Sequence, residues 1–160
     1  MARFFVCSDI HEAESRLEMY LANQSGIDTV IVCGDLEMEV YDVEEIIRRY
    51  TSRSIDIRFV RGNCDVFFSS SAKVPDQITV TLTPQHRALV THGHLYRANR
   101  ELMAYAAKEN HCDIVIYGHT LIPLDKEEYG IRFLNPGSVR DGSYMIIETD
   151  ENGDMEVTLN

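Results

Sequence analysis

Apolar residues arrive along the chain in short blocks, and the spacing inside each block predicts an element. Residues 3–8 (Arg-Phe-Phe-Val-Cys-Ser), 28–33 and 113–117 are nearly continuous in apolar or β-branched side chains, as strands buried on both faces are. Residues 55–60 alternate instead and end at Arg61-Gly62-Asn63. Ala13, Leu17, Tyr20 and Leu21 recur at helical spacing, which predicts a helix over 12–24 with Gly26 as its C-cap. Val43, Ile46, Ile47 and Tyr50 predict a second over 42–50, and Leu102, Met103, Tyr105 and Ala106 a third over 98–109. Residues 77–82 and 86–91 read as two strands joined by a short link containing Pro84. After Pro123, strands near 124–128, 131–134, 143–148 and 154–159 are separated by turns at Gly130, Pro136-Gly137, Asp141-Gly142 and Asn152-Gly153. Strand–helix alternation followed by antiparallel strands predicts an α/β layered fold. The 160 residues suit one domain spanning 1–160, with no repeat or linker to divide it.

Ligands of such sheets gather at the carboxyl ends of the strands, and five predicted strands end there in metal-capable side chains. They are Ser8-Asp9-Ile10-His11, Cys33-Gly34-Asp35, Gly62-Asn63-Cys64-Asp65, Thr91-His92-Gly93-His94 and Gly118-His119-Thr120. Taken singly, a Gly-Asp is an ordinary turn and a lone histidine an ordinary hydrogen-bonding residue. Taken together, carboxylate, imidazole and amide oxygen at five strand ends suit borderline divalent ions, among them Mn²⁺, Ni²⁺, Fe²⁺, Zn²⁺ and Co²⁺. A structural zinc clip would instead show closely spaced cysteines.

The ordered set Asp9-Ile-His11, Gly34-Asp35, Gly62-Asn63-Cys64-Asp65, His92-Gly93-His94, Gly118-His119-Thr120 resembles the calcineurin-like metallophosphoesterases, in particular their small bacterial and archaeal phosphodiesterase branch. Asn135-Pro136-Gly137-Ser138 is similar to a turn common in that branch, and the resemblance runs from residue 3 to about 148. It implies a four-layer α/β/β/α sandwich with one or two divalent ions, Mn²⁺ favoured, at the strand ends. It places Asp9, His11 and Asp35 on a first ion and Asp35, Asn63, His92 and His119 on a second. Asp35 would bridge them, since a carboxylate has two oxygens. The implied reaction is hydrolysis of a small phosphate ester by in-line attack of a metal-bound hydroxide, with Asp35, Asn63, His94 and Cys64 as the candidate catalytic residues. His94 is not a ligand in the pattern; it would touch substrate, or else pack or orient His92.

Three positions depart from the pattern. Leu121 stands where the family has a histidine that completes the first metal site. Cys64 stands where larger relatives have a histidine beside the phosphate; a free thiol is a poorer acid there, and packing is its alternative role. Glu12 replaces a glycine and adds negative charge near an anionic substrate. Leu121 keeps open a catalytically weak or silent scaffold, because a retromer trafficking subunit shares the fold and serves in protein–protein contacts.

Charge narrows the partners. Fifteen Lys and Arg against 26 Asp and Glu leave a net charge of −11. Phosphate contacts need Lys and Arg, so a small phosphate ester fits better than long nucleic acid. Arg97, Arg100 and Arg140 could form a local basic patch, but such spacing is more often plain solvated surface. No apolar run approaches the roughly 20 residues of a membrane helix, and Asp9 interrupts the first apolar stretch, so a cytoplasmic protein is expected, with a homo-oligomer possible. Cys7, Cys33 and Cys112 are expected to be buried, reduced thiols.

Overall fold

The computed structural model describes residues 1–160. Its first sheet contains β1 (Ala2–Cys7), β2 (Thr29–Val32), β3 (Asp56–Phe59), β9 (Met145–Thr149) and β10 (Met155–Leu159), in the order β10-β9-β1-β2-β3. The second contains β4 (Gln77–Thr83), β5 (His86–Thr91), β6 (Ile114–Ile116), β7 (Leu124–Glu128) and β8 (Ile131–Asn135), in the order β4-β5-β6-β8-β7. Helices α1 (Glu14–Ala22) and α2 (Val40–Tyr50) cover the outer face of the first sheet, and α3 (Arg100–Glu109) covers that of the second.

Alternation along the strands builds the layers. In β1, Phe5 and Cys7 face Leu17 and Leu21 of α1 and Val43 and Ile47 of α2. Phe4 and Val6, one residue out of phase, face the other sheet, where they meet Val80, Val90, Ile116 and Leu134. On the far side, Leu89, Val115 and Phe133 pack on Met103, Ala104 and Ala107 of α3. Three apolar interfaces between four layers make the α/β/β/α sandwich. Cys7, Cys33 and Cys112 are buried free thiols, and burial, with Asp9 nearby, pushes the Cys7 thiol up to about 12.

The expected elements form, with four differences of physical interest. The second sheet has a parallel centre, β5-β6-β8, and antiparallel partners only at its edges. The strands after Pro123 divide: β7 and β8 stay in this sheet, whereas β9 crosses to pair antiparallel with β1, Phe5 opposite Ile146. Gly26 does not cap α1, which already ends at Asn23; the glycine turns the following loop at φ +69°. α3 starts at Arg100 rather than 98, because Arg97 and Ala98 have positive φ and the Asn99 side chain accepts from Leu102 N at 3.1 Å. No helix is long and apolar enough to cross a membrane.

β1, β2 and β3 run parallel, as do β5, β6 and β8. The residues that follow β1, β2, β3, β5 and β6 are the five donor segments, and hydrogen bonds between those segments tie both sheets to one site. The layer under α3 can be probed directly. Phe133 is fully buried and meets Tyr117 edge-to-face at 6.3 Å. Phe133→Ala is expected to cost about 3–5 kcal/mol in urea denaturation; a loss under about 1 kcal/mol would contradict this packing.

Candidate metal centre

The site is assembled from backbone that leaves the strands in unusual conformations. Asp9, His11, Asp35 and His119 all have positive φ, a strain of order 1–3 kcal/mol each for non-glycine residues that surrounding contacts must hold. Several contacts do so. Asp9 N and Ile10 N donate to the carbonyls of Gly34 and Asp35, both at 3.0 Å. Ser138 Oγ donates to Asp9 O at 3.1 Å, and Val139 N to Ser8 O at 3.0 Å. Asn135 donates to Gly118 O and Thr120 Oγ1, each at 3.0 Å, and accepts from Gly137 N at 2.9 Å. The Asn135-Pro-Gly-Ser138 turn therefore clamps the first and last donor segments.

Asp65 closes the Gly62-Asn63-Cys64-Asp65 segment, and the structure gives it a role. It is buried, and its carboxylate accepts from Asp35 N (2.9 Å), Leu36 N (2.8 Å) and Gly62 N (2.7 Å). It thus ties the end of β2 to the end of β3 and fixes the backbone that carries Asp35.

Asp9 and Asp35 each use one oxygen for the protein and turn the other inward. Asp9 Oδ2 accepts from Ser8 Oγ at 2.6 Å and from His119 N at 3.2 Å. Asp9 Oδ1 has no hydrogen-bond partner and lies 3.4 Å from His11 Nε2. Asp35 Oδ1 accepts from Cys64 N at 2.8 Å, while Oδ2 lies 3.2 Å from His92 Nε2 and 3.9 Å from His11 Nε2. The Cys64 amide thus orients the Asp35 carboxylate and directs Oδ2 toward the two imidazoles. His92 is fully buried; its Nδ1 lies 2.7 Å from Cys33 O. A carbonyl only accepts, so Nδ1 carries the proton, and Nε2 is left facing Asp35 without an aligned hydrogen bond.

The electrostatics match this geometry. Burial pushes the Asp35 carboxyl up, but the adjacent His92 ring and the Cys64 amide outweigh it and hold it at about 2. Burial presses His92 toward neutrality, yet Asp35 and Asp9 together raise its pKa above the usual value. Burial also dominates at Asp9, whose pKa is raised despite His92 and Ser8. Two buried carboxylates held beside unpartnered imidazole nitrogen form a pocket that attracts cations.

Three donor sets meet the separations of a metal site: His11, Glu37 and Cys64, and two that share Asp35. The ligand atoms of Asp9, His11 and Asp35 lie within 4.8 Å of one another, as do those of Asp35, His92 and His119, and Asp35 belongs to both. The donors are oxygen and imidazole nitrogen, and Asp9 Oδ1 and His92 Nε2 are buried and unpaired, so the pocket fits divalent ions. Asn63 is exposed, its amide nitrogen 3.7 Å from Cys64 Sγ. His94 sits beside the second set, its ring 5.4 Å from that of His92 and 6.3 Å from that of His119. Cys64 is half-buried and its thiol is pushed up to about 12, by burial first and then by Asp35 and Glu37. Glu12 is exposed. Arg100 is paired with Glu128 at 2.5 Å, while Arg97 and Arg140 are exposed. Leu121 is 41% exposed at φ +67°, so it is not a core residue. Sequence reasoning missed Glu37, whose Oε1 lies 3.0 Å from His11 Nδ1; its only sequence signal is its place two residues after Asp35.

Comparison with known proteins decides the family. Residues 2–152 match the calcineurin-like phosphoesterase superfamily domain. The chain belongs to that superfamily. It is 31% identical over 138 residues to the probable metallophosphoesterase YsnB of Bacillus subtilis, covering 84% of this chain and 73% of YsnB. It is 28% identical over 173 residues to the phosphodiesterase YfcE of Escherichia coli, covering 94% of this chain and 89% of YfcE. Among solved structures, Vps29 of Entamoeba histolytica complexed with zinc superposes with a TM-score of 0.73 at 21% identity, covering 99% of this chain and 98% of that one. The superfamily match, YsnB and YfcE support a phosphoesterase, and the superfamily implies divalent ions.

Gly62 tests how tightly the centre is built. A Cβ on Gly62 would run into Asp35 Oδ1 and lie 2.5 Å from Asp35 N. Gly62→Ala is expected to lower metal uptake at least tenfold, by mass spectrometry of the loaded protein, the scale typical of lost supporting contacts. Wild-type uptake would show that Asp35 need not hold this position.

Proposed function

We propose that the chain is a metal-dependent phosphodiesterase acting on a small phosphate ester, with Asp9, His11 and Asp35 holding a first ion and Asp35, Asn63, His92 and His119 a second. The observation that carries this reading is the division of labour in Asp9, Asp35 and His92, each of which gives one polar atom to the protein and turns the other toward a common pocket. When bound, divalent ions would supply positive charge to the phosphoryl oxygens and acidify water for attack on phosphorus.

The chain's own groups would do the rest. Asp35 would help hold both ions, its carboxylate oriented by the Cys64 amide. Cys33 O would hold His92 in one tautomer through the reaction. Asn63, exposed at the rim, would offer its amide oxygen to the second ion. His94 Nδ1 is a buried nitrogen with no partner, and burial together with His92 and His119 holds its pKa below the usual value. A neutral His94 would donate an N–H to a phosphoryl oxygen. Cys64, holding its proton, would position Asp35 through its backbone rather than act through sulfur. The net charge of −11 disfavours long polyanions and leaves small esters. Carboxylate and imidazole donors suit Mn²⁺, Fe²⁺, Zn²⁺, Co²⁺ or Ni²⁺, and Mn²⁺ is the ion favoured from the family resemblance.

Hydrolysis of bis-p-nitrophenyl phosphate with Mn²⁺ or Ni²⁺ tests the reading. Wild type is expected to exceed buffer plus metal. Asp35→Asn should abolish turnover and reduce bound metal more than His11→Ala does, because its charge serves both positions. No turnover with any divalent ion between pH 6 and 9 would refute the enzyme and favour the interaction scaffold.

Leu121 makes a separate test. Its exposure means that a histidine there displaces no core packing, and histidine tolerates positive φ better than leucine. Calorimetric Mn²⁺ titration of Leu121→His should show the weaker of two sites tightening by about tenfold or more. Two equally tight sites in wild type, or no gain in the variant, would show that Leu121 costs the first site nothing.

A further inference from the structure

His11 is the weak member of the first donor set, because a neutral imidazole has one lone pair and must aim it correctly. Its Nε2 faces Asp9 Oδ1 at 3.4 Å and Asp35 Oδ2 at 3.9 Å; its Nδ1 lies 3.0 Å from Glu37 Oε1. We propose that Glu37 is a positioning residue for the first metal site, selecting the His11 tautomer that turns the Nε2 lone pair toward Asp9 and Asp35. This assignment rests on the phosphoesterase reading above.

The chemistry allows one direction only. An ionised carboxylate accepts and cannot donate, so a bond to Glu37 requires the proton on Nδ1. That leaves Nε2 unprotonated. His92 is held the same way, its Nδ1 against the Cys33 carbonyl. The parallel is chemical: each imidazole has an acceptor-only group at Nδ1 and buried carboxylate at Nε2. The N–H direction at His11 is off the line to Oε1, so Nδ1 has no aligned partner as the side chains stand. Glu37 is 38% exposed and free to adjust, whereas the His11 side chain is only 12% exposed. A carboxylate behind an imidazole also raises its strength as a donor, which matters most where Leu121 has removed the neighbouring imidazole. Glu37 is not itself in the Asp9–His11–Asp35 set; it groups instead with His11 and Cys64.

Calorimetric Mn²⁺ titration of wild type, Glu37→Ala and Glu37→Gln tests this, with His11→Ala and His119→Ala identifying the first and second sites. Glu37→Ala should weaken the first site by about tenfold to a hundredfold and leave the second unchanged, which also controls for folding. Glu37→Gln should fall between the two, since its amide oxygen accepts the same proton without the charge. First-site affinity within twofold of wild type in both variants would overturn the assignment while the two-site reading stood. Wild type taking up no Mn²⁺ would defeat the phosphoesterase reading and this assignment with it. A sulfur-to-metal charge-transfer band in Co²⁺-loaded wild type, lost in Cys64→Ser, would place an ion among His11, Glu37 and Cys64 and likewise overturn it.

Discussion

Asp9 and Asp35 are carried almost out of water at the ends of two adjacent parallel strands, 0% and 4% exposed. Burying an ionised carboxylate costs several kcal/mol unless it is paired and hydrogen-bonded. Much of the surrounding structure answers that cost. Ser8, the His119 amide and the Cys64 amide each take one oxygen, and the His92 and His11 rings stand against the others. Asp65 locks the backbone under Asp35 with three accepted N–H bonds. The oxygens left over face one pocket.

That constraint explains the architecture. A parallel strand order brings the carboxyl ends of β1, β2 and β3 to one edge, and the facing sheet does the same for β5 and β6. The inter-sheet core of β-branched and aliphatic side chains holds the two edges in register. The donors themselves lie in the loops, several with positive φ, and the Asn135–Ser138 turn binds those loops together. Rigidity thus comes from hydrogen bonds between loops 17 to 129 residues apart.

The sequence made the strands, the three helices and the donor segments legible, because periodicity and strand-end chemistry are local signals. Long-range choices were less legible. The antiparallel reading after Pro123 missed the parallel β6–β8 pair, and nothing local shows β9 crossing to β1. The short 3-10 turns at 65–67, 69–73 and 94–96 carry no period to detect. The roles of Asp65 and Glu37 were not legible, since they depend on partners that only the fold brings near. The Cys64 amide that orients the Asp35 carboxylate was likewise not legible, because that hydrogen bond joins positions 29 residues apart.

The claim that these strand ends form one cation pocket sharing Asp35 is tested most directly by anomalous diffraction at the manganese edge from crystals grown with Mn²⁺. The expected result is density between Asp35, His92 and His119, with a second, less occupied peak beside Asp9 and His11 that shares Asp35. Manganese bound elsewhere, or no anomalous peak within coordination distance of Asp35, would contradict it.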